Sequence, residues 1–270
     1  MKIFIDSADI EQIRVMRSYG VLDGVTTNPS LLKKAAARHL GEGRDLKTYL
    51  ETLLEETSDI PVSLEVIGAD YERMVQEGRR LYSLFNPVAG NVYVKIPVDP
   101  AFRREDDTHF DGLRAIRTLA GEDIPVNCTL IFTPEQALLA AKAGAAIVSP
   151  FAGRVDDLLR ERNGLSFEKT DYFPAAGLEE GEVIDDNGVV SGVDLVEQCV
   201  DILSQAESPA EVLAASIRNP RQAREVALAG THIATLPFDV LRELLVHVKT
   251  VEGMEKFTRD VVPEYAELLA

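Results

Sequence analysis

Short apolar runs alternate along the chain with longer segments in which apolar residues recur at helical spacing. Each run has the length of a strand and is bounded by polar or turn-forming residues. The predicted strands are Lys2–Asp6, Gly24–Asn28, Val62–Val66, Val92–Pro97, Val126–Ile131, Ala145–Ser149, Val212–Ile217 and His232–Leu236. The clearest amphipathic segments between them are Asp70–Phe85, Pro134–Ala143, Val193–Ser204 and Pro220–Ala229.

Strands that each precede a helix indicate a parallel sheet, and the favoured fold class is an α/β fold of the (β/α)8 TIM-barrel type. A doubly wound open sheet is the alternative, but no glycine-rich nucleotide-binding turn follows the first strand. No linker or low-complexity stretch interrupts residues 1–270, so the sequence predicts a single domain. Residues Thr250–Leu269 are predicted to form a further, C-terminal amphipathic helix.

Two connections are longer than a βα loop requires. The first spans residues 98–110, after the fourth strand, and the second spans about 156–192, after the sixth. Within the second, Val183–Val190 contains Asn187-Gly188, a pair that favours a type I′ hairpin turn. Because both insertions follow strands, both are predicted to overhang the C-terminal face of the barrel, where barrel enzymes keep their active sites.

Polar side chains end nearly every strand on the face that alternation assigns to the barrel interior. On the fourth strand Val92, Val94 and Ile96 suit the helix layer, which leaves Tyr93 and Lys95 pointing inward. The same test places inward Asp6, Thr26, Asn28, Ser63, Glu65, Asn127, Thr129, Ser149, Ser216 and Arg218. Each alone could be a satisfied polar residue of the rim, but a lysine, two acids and an amide at one mouth indicate an active site.

Lys95 suggests covalent chemistry. Its confinement with Tyr93, Pro97 and the apolar layers of a barrel disfavours the ammonium form, and a neutral amine can attack a ketone to form an imine. A protonated imine withdraws electrons from the adjacent carbon–carbon bond. The alternative is a structural ion pair between this lysine and Asp6 or Glu65, which would not explain the other polar groups at the mouth.

The remaining polar groups match the needs of such a reaction. Asp6 could accept the proton of the hydroxyl whose carbon is cleaved, and Glu65 with Thr129 could position a water for imine formation. Asn28 and Ser149 could bind the hydroxyls of a short sugar.

Two arginines predict an anionic substrate. Arg154 follows the sixth strand and Arg218 ends the seventh, and guanidinium groups bind phosphate in bidentate fashion. The chain as a whole carries 45 acidic against 28 basic residues and a net charge of −17, which argues against nucleic acid and anionic membranes as partners.

No cofactor is predicted. The four histidines show no ligand spacing, which argues against a metal, and no phosphate loop or dinucleotide fingerprint occurs. Nothing in the chain has the length of a membrane span, and no apolar leader precedes the first strand. The two cysteines, Cys128 and Cys199, form no spacing motif and are interpreted as reduced thiols of a cytoplasmic protein.

Seven motifs, in order along most of the chain, resemble the transaldolase family, in particular the small microbial branch that it shares with fructose-6-phosphate aldolases. They are Phe4-Ile-Asp6, Gly24-Val-Thr-Thr-Asn-Pro-Ser30, Ser63-Leu-Glu-Val66, Val94-Lys-Ile-Pro97, Asn127-Cys-Thr-Leu-Ile-Phe132, Ser149-Pro-Phe-Ala-Gly-Arg154 and Ala215-Ser-Ile-Arg-Asn219.

The resemblance implies a class I aldolase-type barrel with the Schiff-base lysine, Lys95, on the fourth strand, and an enzyme of sugar-phosphate metabolism such as the pentose phosphate pathway. It also implies a homo-oligomer, a pentamer or decamer, in which the C-terminal helix reaches a neighbour. The predicted catalytic residues are Lys95, Asp6, Glu65 and Thr129. The predicted substrate-binding residues are Asn28, Ser149, Arg154, Arg218, Asn127, Ser216 and Phe151.

Two positions distinguish transaldolases from aldolases in the family that the chain resembles. Aldolases of this branch, which release free dihydroxyacetone, carry Gln at the position of Glu65 and Tyr at the position of Phe151. The sequence therefore predicts a transaldolase that transfers a dihydroxyacetone unit from fructose 6-phosphate to erythrose 4-phosphate. The alternatives are an aldolase acting on fructose 6-phosphate or a related substrate, and a non-catalytic barrel that binds sugar phosphates.

Overall fold

The computed structural model describes residues 1–39, 45–178 and 185–270. Eight parallel strands form a closed barrel in the order of the sequence, which confirms the (β/α)8 fold class. The strands are β1 (Lys2–Asp6), β2 (Gly24–Thr26), β3 (Val62–Glu65), β4 (Val92–Pro97), β5 (Val126–Ile131), β6 (Ile147–Pro150), β7 (Glu211–Ala214) and β8 (Ile233–Leu236).

Helices on the outside of the barrel connect the strands, and three further helices follow β8. Between β1 and β5 these are α1 (Ile10–Ser18), α2 (Pro29–His39), α3 (Leu46–Glu56), α4 (Tyr71–Ala89) and α5 (Asp111–Ala120). The later ones are α6 (Pro134–Ala143), α7 (Ala152–Arg162), α8 (Gly192–Gln205), α9 (Pro220–Leu228), α10 (Phe238–Glu243), α11 (Val248–Arg259) and α12 (Pro263–Leu269). No described helix is long and apolar enough to cross a bilayer.

Local signals in the sequence explain where several helices begin and end. Asp70 caps α4 by accepting the backbone N–H of Arg73, and Gly90 ends that helix with a left-handed φ of 70°. Thr133 and Gln136 form a reciprocal capping box at the start of α6. The four predicted amphipathic segments agree with the helices of the structure to within a few residues.

Two apolar clusters lie on the two faces of the sheet. The larger fills the space between the strands and the helices and includes Ile5 and Val148. The neighbours of these residues point the other way, into the barrel, where Phe4, Ile147, Phe151, Leu213, Ala215 and Ile233 form the second cluster. Phe4 lies so close to Gly24 that a Cβ at that position would collide with its ring. Apolar packing thus closes the lower barrel and leaves the polar groups at its C-terminal end.

The C-terminal helix predicted over Thr250–Leu269 is two helices in the structure, α11 and α12. The break precedes Pro263, which has no backbone N–H and disfavours helical conformation at Val262. Neither helix contains a buried residue.

The two insertions differ in structure. The first, residues 98–110, is held partly by His109, whose ring nitrogens lie 2.8 Å from Asp99 Oδ2 and 3.0 Å from the carbonyl oxygen of Arg104. The Asp99 side chain raises the pKa of His109 above its usual range. Of the second, residues 156–162 belong to α7, so the irregular part begins only at Asn163.

The predicted hairpin turn of the second insertion is confirmed where the structure describes it. Asp186 and Val189 pair in antiparallel fashion. Between them, Asn187 and Gly188 have φ angles of 55° and 83°, the signs that a type I′ turn requires. Val183 and Ile184 lie outside the described residues.

Candidate active site

A cavity of about 570 Å³ opens at the C-terminal ends of the strands. Most of the predicted site residues line it. These are Asp6, Asn28, Glu65, Lys95, Ser149, Phe151, Arg154, Ser216 and Arg218. These residues include members of β1, β3, β4 and β6 that are far apart in sequence, and alternation along the strands had placed them on the inward face.

Lys95 is 5% exposed, and its amine is held by two oxygen atoms. Its Nζ lies 3.2 Å from Oε2 of Glu65 and donates to the carbonyl oxygen of Thr27 at 3.3 Å. Glu65 is its direct neighbour on β3, because the two residues are in register. The ion pair that the sequence left open is thus present, but it borders a cavity that can admit a ligand, so the amine is accessible to chemistry.

Asp6 is the second carboxyl group of the cavity. Its Oδ1 accepts a hydrogen bond of 2.8 Å from Thr26 Oγ1, which also lies 2.6 Å from Thr235 Oγ1. Burial raises the pKa of Asp6, and the positive charge of Lys95 and the hydrogen bond from Thr26 oppose that rise. A raised pKa makes the carboxylate a better proton acceptor than an ordinary aspartate.

Asn127 and Thr129 lie beneath the cavity rather than on its surface. Asn127 is fully buried, donates to Ser63 Oγ at 3.1 Å and accepts a 2.6 Å hydrogen bond from Ser149 Oγ. It therefore supports Ser149, and its role as a substrate contact stays a prediction. The buried hydroxyl of Thr129 has no hydrogen-bond partner within the described ranges.

Asn28 lines the cavity and also caps a helix. Its Oδ1 accepts the backbone N–H of Leu31 at 3.0 Å and so caps the start of α2. The amide N–H groups of Asn28 are what remains for a ligand.

The two predicted arginines are held in different ways. The guanidinium of Arg154 lies over the ring of Phe151, 4.9 Å from its centroid, and that ring packs against Phe132. Arg218 forms an ion pair of 3.0 Å with Asp157 Oδ2. Part of its charge is therefore neutralised before any substrate arrives.

The route by which Ser216 and Arg218 reach the cavity differs from the prediction. Leu213 in β7 and Ala215 just after it point into the barrel, so strict alternation would turn Ser216 and Arg218 outward. Ser216 adopts a φ of 62°, and this left-handed residue ends the alternation. The predicted location is correct for both residues, but the predicted reason is wrong.

Sequence reasoning missed two lysines of the cavity wall. Lys34 comes from α2, and Lys169 comes from the second insertion. Neither lies on a strand, so alternation could not reveal them. Residues 98–110, all of them described, are not among the residues that line the cavity, and the overhang of the first insertion stays a prediction.

Comparisons with known proteins agree along nearly the whole chain. A sequence profile described as "Transaldolase/Fructose-6-phosphate aldolase" matches residues 3–268. A "Probable transaldolase" of Clostridium botulinum (strain Langeland) is 39% identical over 267 residues, with 99% of each chain covered. Proteins of the same name from Aquifex aeolicus and Thermoplasma acidophilum are 40% and 39% identical, covering 98% and 96% of this chain and 99% and 95% of their own.

Proposed function

Because the chain belongs to the transaldolase and fructose-6-phosphate aldolase family, we propose that it is a transaldolase acting through a Schiff base on Lys95. In this proposal it transfers a dihydroxyacetone unit from fructose 6-phosphate to erythrose 4-phosphate. The observation that carries the proposal is the buried Lys95 amine, 3.2 Å from a carboxylate oxygen of Glu65. Asp6 and two arginines line the same cavity.

Imine formation requires proton transfers at Lys95. The ammonium must lose a proton before Nζ attacks the keto carbon, and Glu65 lies within reach to accept it. The carbinolamine then loses its oxygen as water, which needs a proton returned to that oxygen. Glu65 supplies it directly or through a water. In this proposal such a water enters next to Thr129, whose hydroxyl has no hydrogen-bond partner among the described residues.

Asp6 acts in the cleavage step. It accepts the proton of the C4 hydroxyl while the C3–C4 bond breaks and its electron pair moves into the protonated imine. The products are a neutral enamine on Lys95 and an aldehyde phosphate. An acceptor aldehyde reverses the sequence, because the enamine carbon forms the new bond and Asp6 returns its proton to the new alkoxide. The pKa of Asp6, raised by burial, suits a group that takes up and returns a proton.

Arg154 and Arg218 bind the phosphate common to donor and acceptor in this proposal. Asn28, Ser149 and Ser216 line the same cavity as these arginines and Lys95, and in this proposal they bind the sugar hydroxyls.

The choice of transaldolase over aldolase rests on Phe151. Its ring lies under Arg154 and carries no hydroxyl, so it cannot protonate the enamine. The three-carbon unit then waits on Lys95 for an acceptor aldehyde. Substantial release of free dihydroxyacetone in the absence of an acceptor would favour the alternative, a fructose-6-phosphate aldolase.

A homo-oligomer, a pentamer or decamer, and a cytoplasmic location are also proposed. Apolar side chains of the C-terminal helices support the first, because Met254, Phe257 and Leu268 are 60%, 69% and 82% exposed. Removal of residues 248–270 is expected to reduce the assembly to smaller species in light scattering. An unchanged mass would contradict a role for these helices in assembly.

Borohydride trapping tests the central proposal. Fructose 6-phosphate and borohydride should attach a three-carbon or six-carbon adduct to the Lys95 peptide, read by mass spectrometry. Lys95→Met, which removes the amine and keeps an unbranched, flexible side chain, should lose the adduct and the transferase activity. Lys142→Met, at the exposed last turn of α6, is the control. A folded Lys95→Met protein with full activity would refute the mechanism.

A further inference from the structure

The second insertion places a lysine beside the predicted phosphate-binding arginines. Lys169 lines the cavity together with Arg154 and Arg218. Its neighbour Thr170 accepts a hydrogen bond of 3.1 Å from the side chain of Asn219, the residue that follows Arg218. Lys169 therefore lies on the side of the mouth formed by β6 and β7, at the phosphate end.

Buried contacts from α7 hold this part of the insertion in place. Arg160 is 4% exposed and donates to the carbonyl oxygen of Asp171 at 2.7 Å. Its guanidinium lies 4.9 Å from the ring centroid of Phe167 and 5.1 Å from that of Phe173. A buried cation so surrounded fixes the backbone on both sides of Lys169.

The far side of the segment is attached to α9. The guanidinium of Arg221 lies 3.5 Å from the ring centroid of Tyr172, and the Tyr172 hydroxyl donates to Glu225 at 3.0 Å. The backbone around Lys169 is therefore held by contacts with α7 and α9.

The positive charge of Arg154 and Arg218 is not enough to balance a bound phosphate group. Asp157 neutralises part of the charge of Arg218 at 3.0 Å, and a phosphate monoester carries up to two negative charges at neutral pH. Within the parts of the chain that the structure describes, Lys169 forms no ion pair. On a protein of net charge −17, a basic residue that lines a cavity and makes no such ion pair favours an anionic ligand, although Glu168 and Asp171 lie close to it in sequence.

We propose that Lys169 is a third phosphate-binding residue of the cavity, and that the second insertion thereby selects phosphorylated over unphosphorylated sugars. The identity of the sugars rests on the proposed function, whereas the binding of a phosphate group by Lys169 does not. Because Lys169 is exposed until a ligand covers it, solvent weakens the contact, and its loss should weaken phosphate binding by roughly five- to tenfold.

The test compares Lys169→Gln, which removes the charge, Lys169→Arg, which keeps it, and the control Lys142→Gln. Calorimetry measures the binding of inorganic phosphate and of fructose 6-phosphate to each protein. Borohydride trapping at Lys95 is then followed against the concentration of fructose 6-phosphate and, separately, of free fructose.

Lys169→Gln should weaken both phosphate ligands by roughly five- to tenfold and leave half-saturation by free fructose unchanged. Lys169→Arg should restore binding, and Lys142→Gln should match the unaltered protein. Equal losses with fructose and fructose 6-phosphate, or no loss with either phosphate ligand, would overturn the inference. If no imine forms in any protein while Lys169→Gln still weakens phosphate binding, the proposed function fails and the role of Lys169 stands.

Discussion

Asp156 provides a pH-dependent test of the structure behind the phosphate end. The carboxyl group is buried in α7, where Oδ1 accepts the backbone N–H of Gly192 and Oδ2 accepts Nε2 of Gln222, both at 2.7 Å. Burial raises the pKa of Asp156 to about 7, although the Gly192 N–H and the positive charge of Arg160 oppose the rise. The perturbation is Asp156→Asn, which has the shape of the protonated acid and cannot ionise.

The sign of the effect follows from linkage. A carboxyl group with a pKa of about 7 in the folded protein and 3.8 when unfolded holds its proton more tightly in the folded state. Its contribution to stability is complete below pH 4, falls as the pH rises to 7, and is constant above that. Each pH unit in that window changes the free energy of unfolding by about 1.4 kcal/mol, so the loss between pH 5 and pH 7 is ~2–3 kcal/mol.

Urea unfolding at pH 5, 6, 7 and 8, at one protein concentration and ionic strength, measures this loss. The Asp156→Asn protein should gain ~2–3 kcal/mol relative to the unaltered protein between pH 5 and pH 7, because only the latter must ionise a buried acid. Asp201→Asn makes the same charge change at an exposed position of α8 and should run parallel to the unaltered protein. Parallel curves for Asp156→Asn would show that the buried carboxyl group does not titrate in this range and would refute the reasoning.

Two further changes test the cavity itself. Phe151→Tyr adds a hydroxyl that can protonate the enamine. We expect the release of free dihydroxyacetone without an acceptor to rise by roughly tenfold or more, measured by an assay of that product. An unchanged rate would argue against protonation as the step that separates transferase from aldolase. Gly153→Ala places a Cβ against the carbonyl oxygen of Ser216 and close to the Arg218 guanidinium, so it should cost ~1–3 kcal/mol in thermal unfolding and weaken fructose 6-phosphate binding. Unfolding and binding equal to those of the unaltered protein would contradict the close packing at Gly153.

The barrel and the inward position of Lys95 could be predicted because regular strands obey alternation. Lys95 and Glu65 lie side by side on neighbouring strands in register. Both point into the barrel, because the apolar residues next to them on each strand point toward the helices. The rule fails where the backbone leaves the extended region. Leu130 has a φ of 60° beside a bulge in β5, and Ser216 has a φ of 62° after β7. Such left-handed residues without glycine carry no clear signal in a single sequence.

Other errors have different physical origins. The break of the C-terminal helix was signalled by Pro263 and could have been recognised. The position of Lys169 could not, because it depends on contacts between distant segments, such as Arg160 with the Asp171 carbonyl and Arg221 with the Tyr172 ring. Hydrophobic periodicity locates strands and helices, whereas an irregular segment is placed by individual side chains.

Arg218 is held in the cavity wall by contacts that reach Asp156 and Asp157 on α7. Its backbone N–H donates to Gln222 Oε1 at 2.9 Å, and Gln222 in turn donates to Asp156. Its guanidinium pairs with Asp157, which lies on the same helix as Arg160, the anchor of the second insertion. Lys95 is held instead by Glu65 and the Thr27 carbonyl. Changes in the α7 network should therefore alter the response to phosphorylated sugars and leave imine formation with free fructose unchanged.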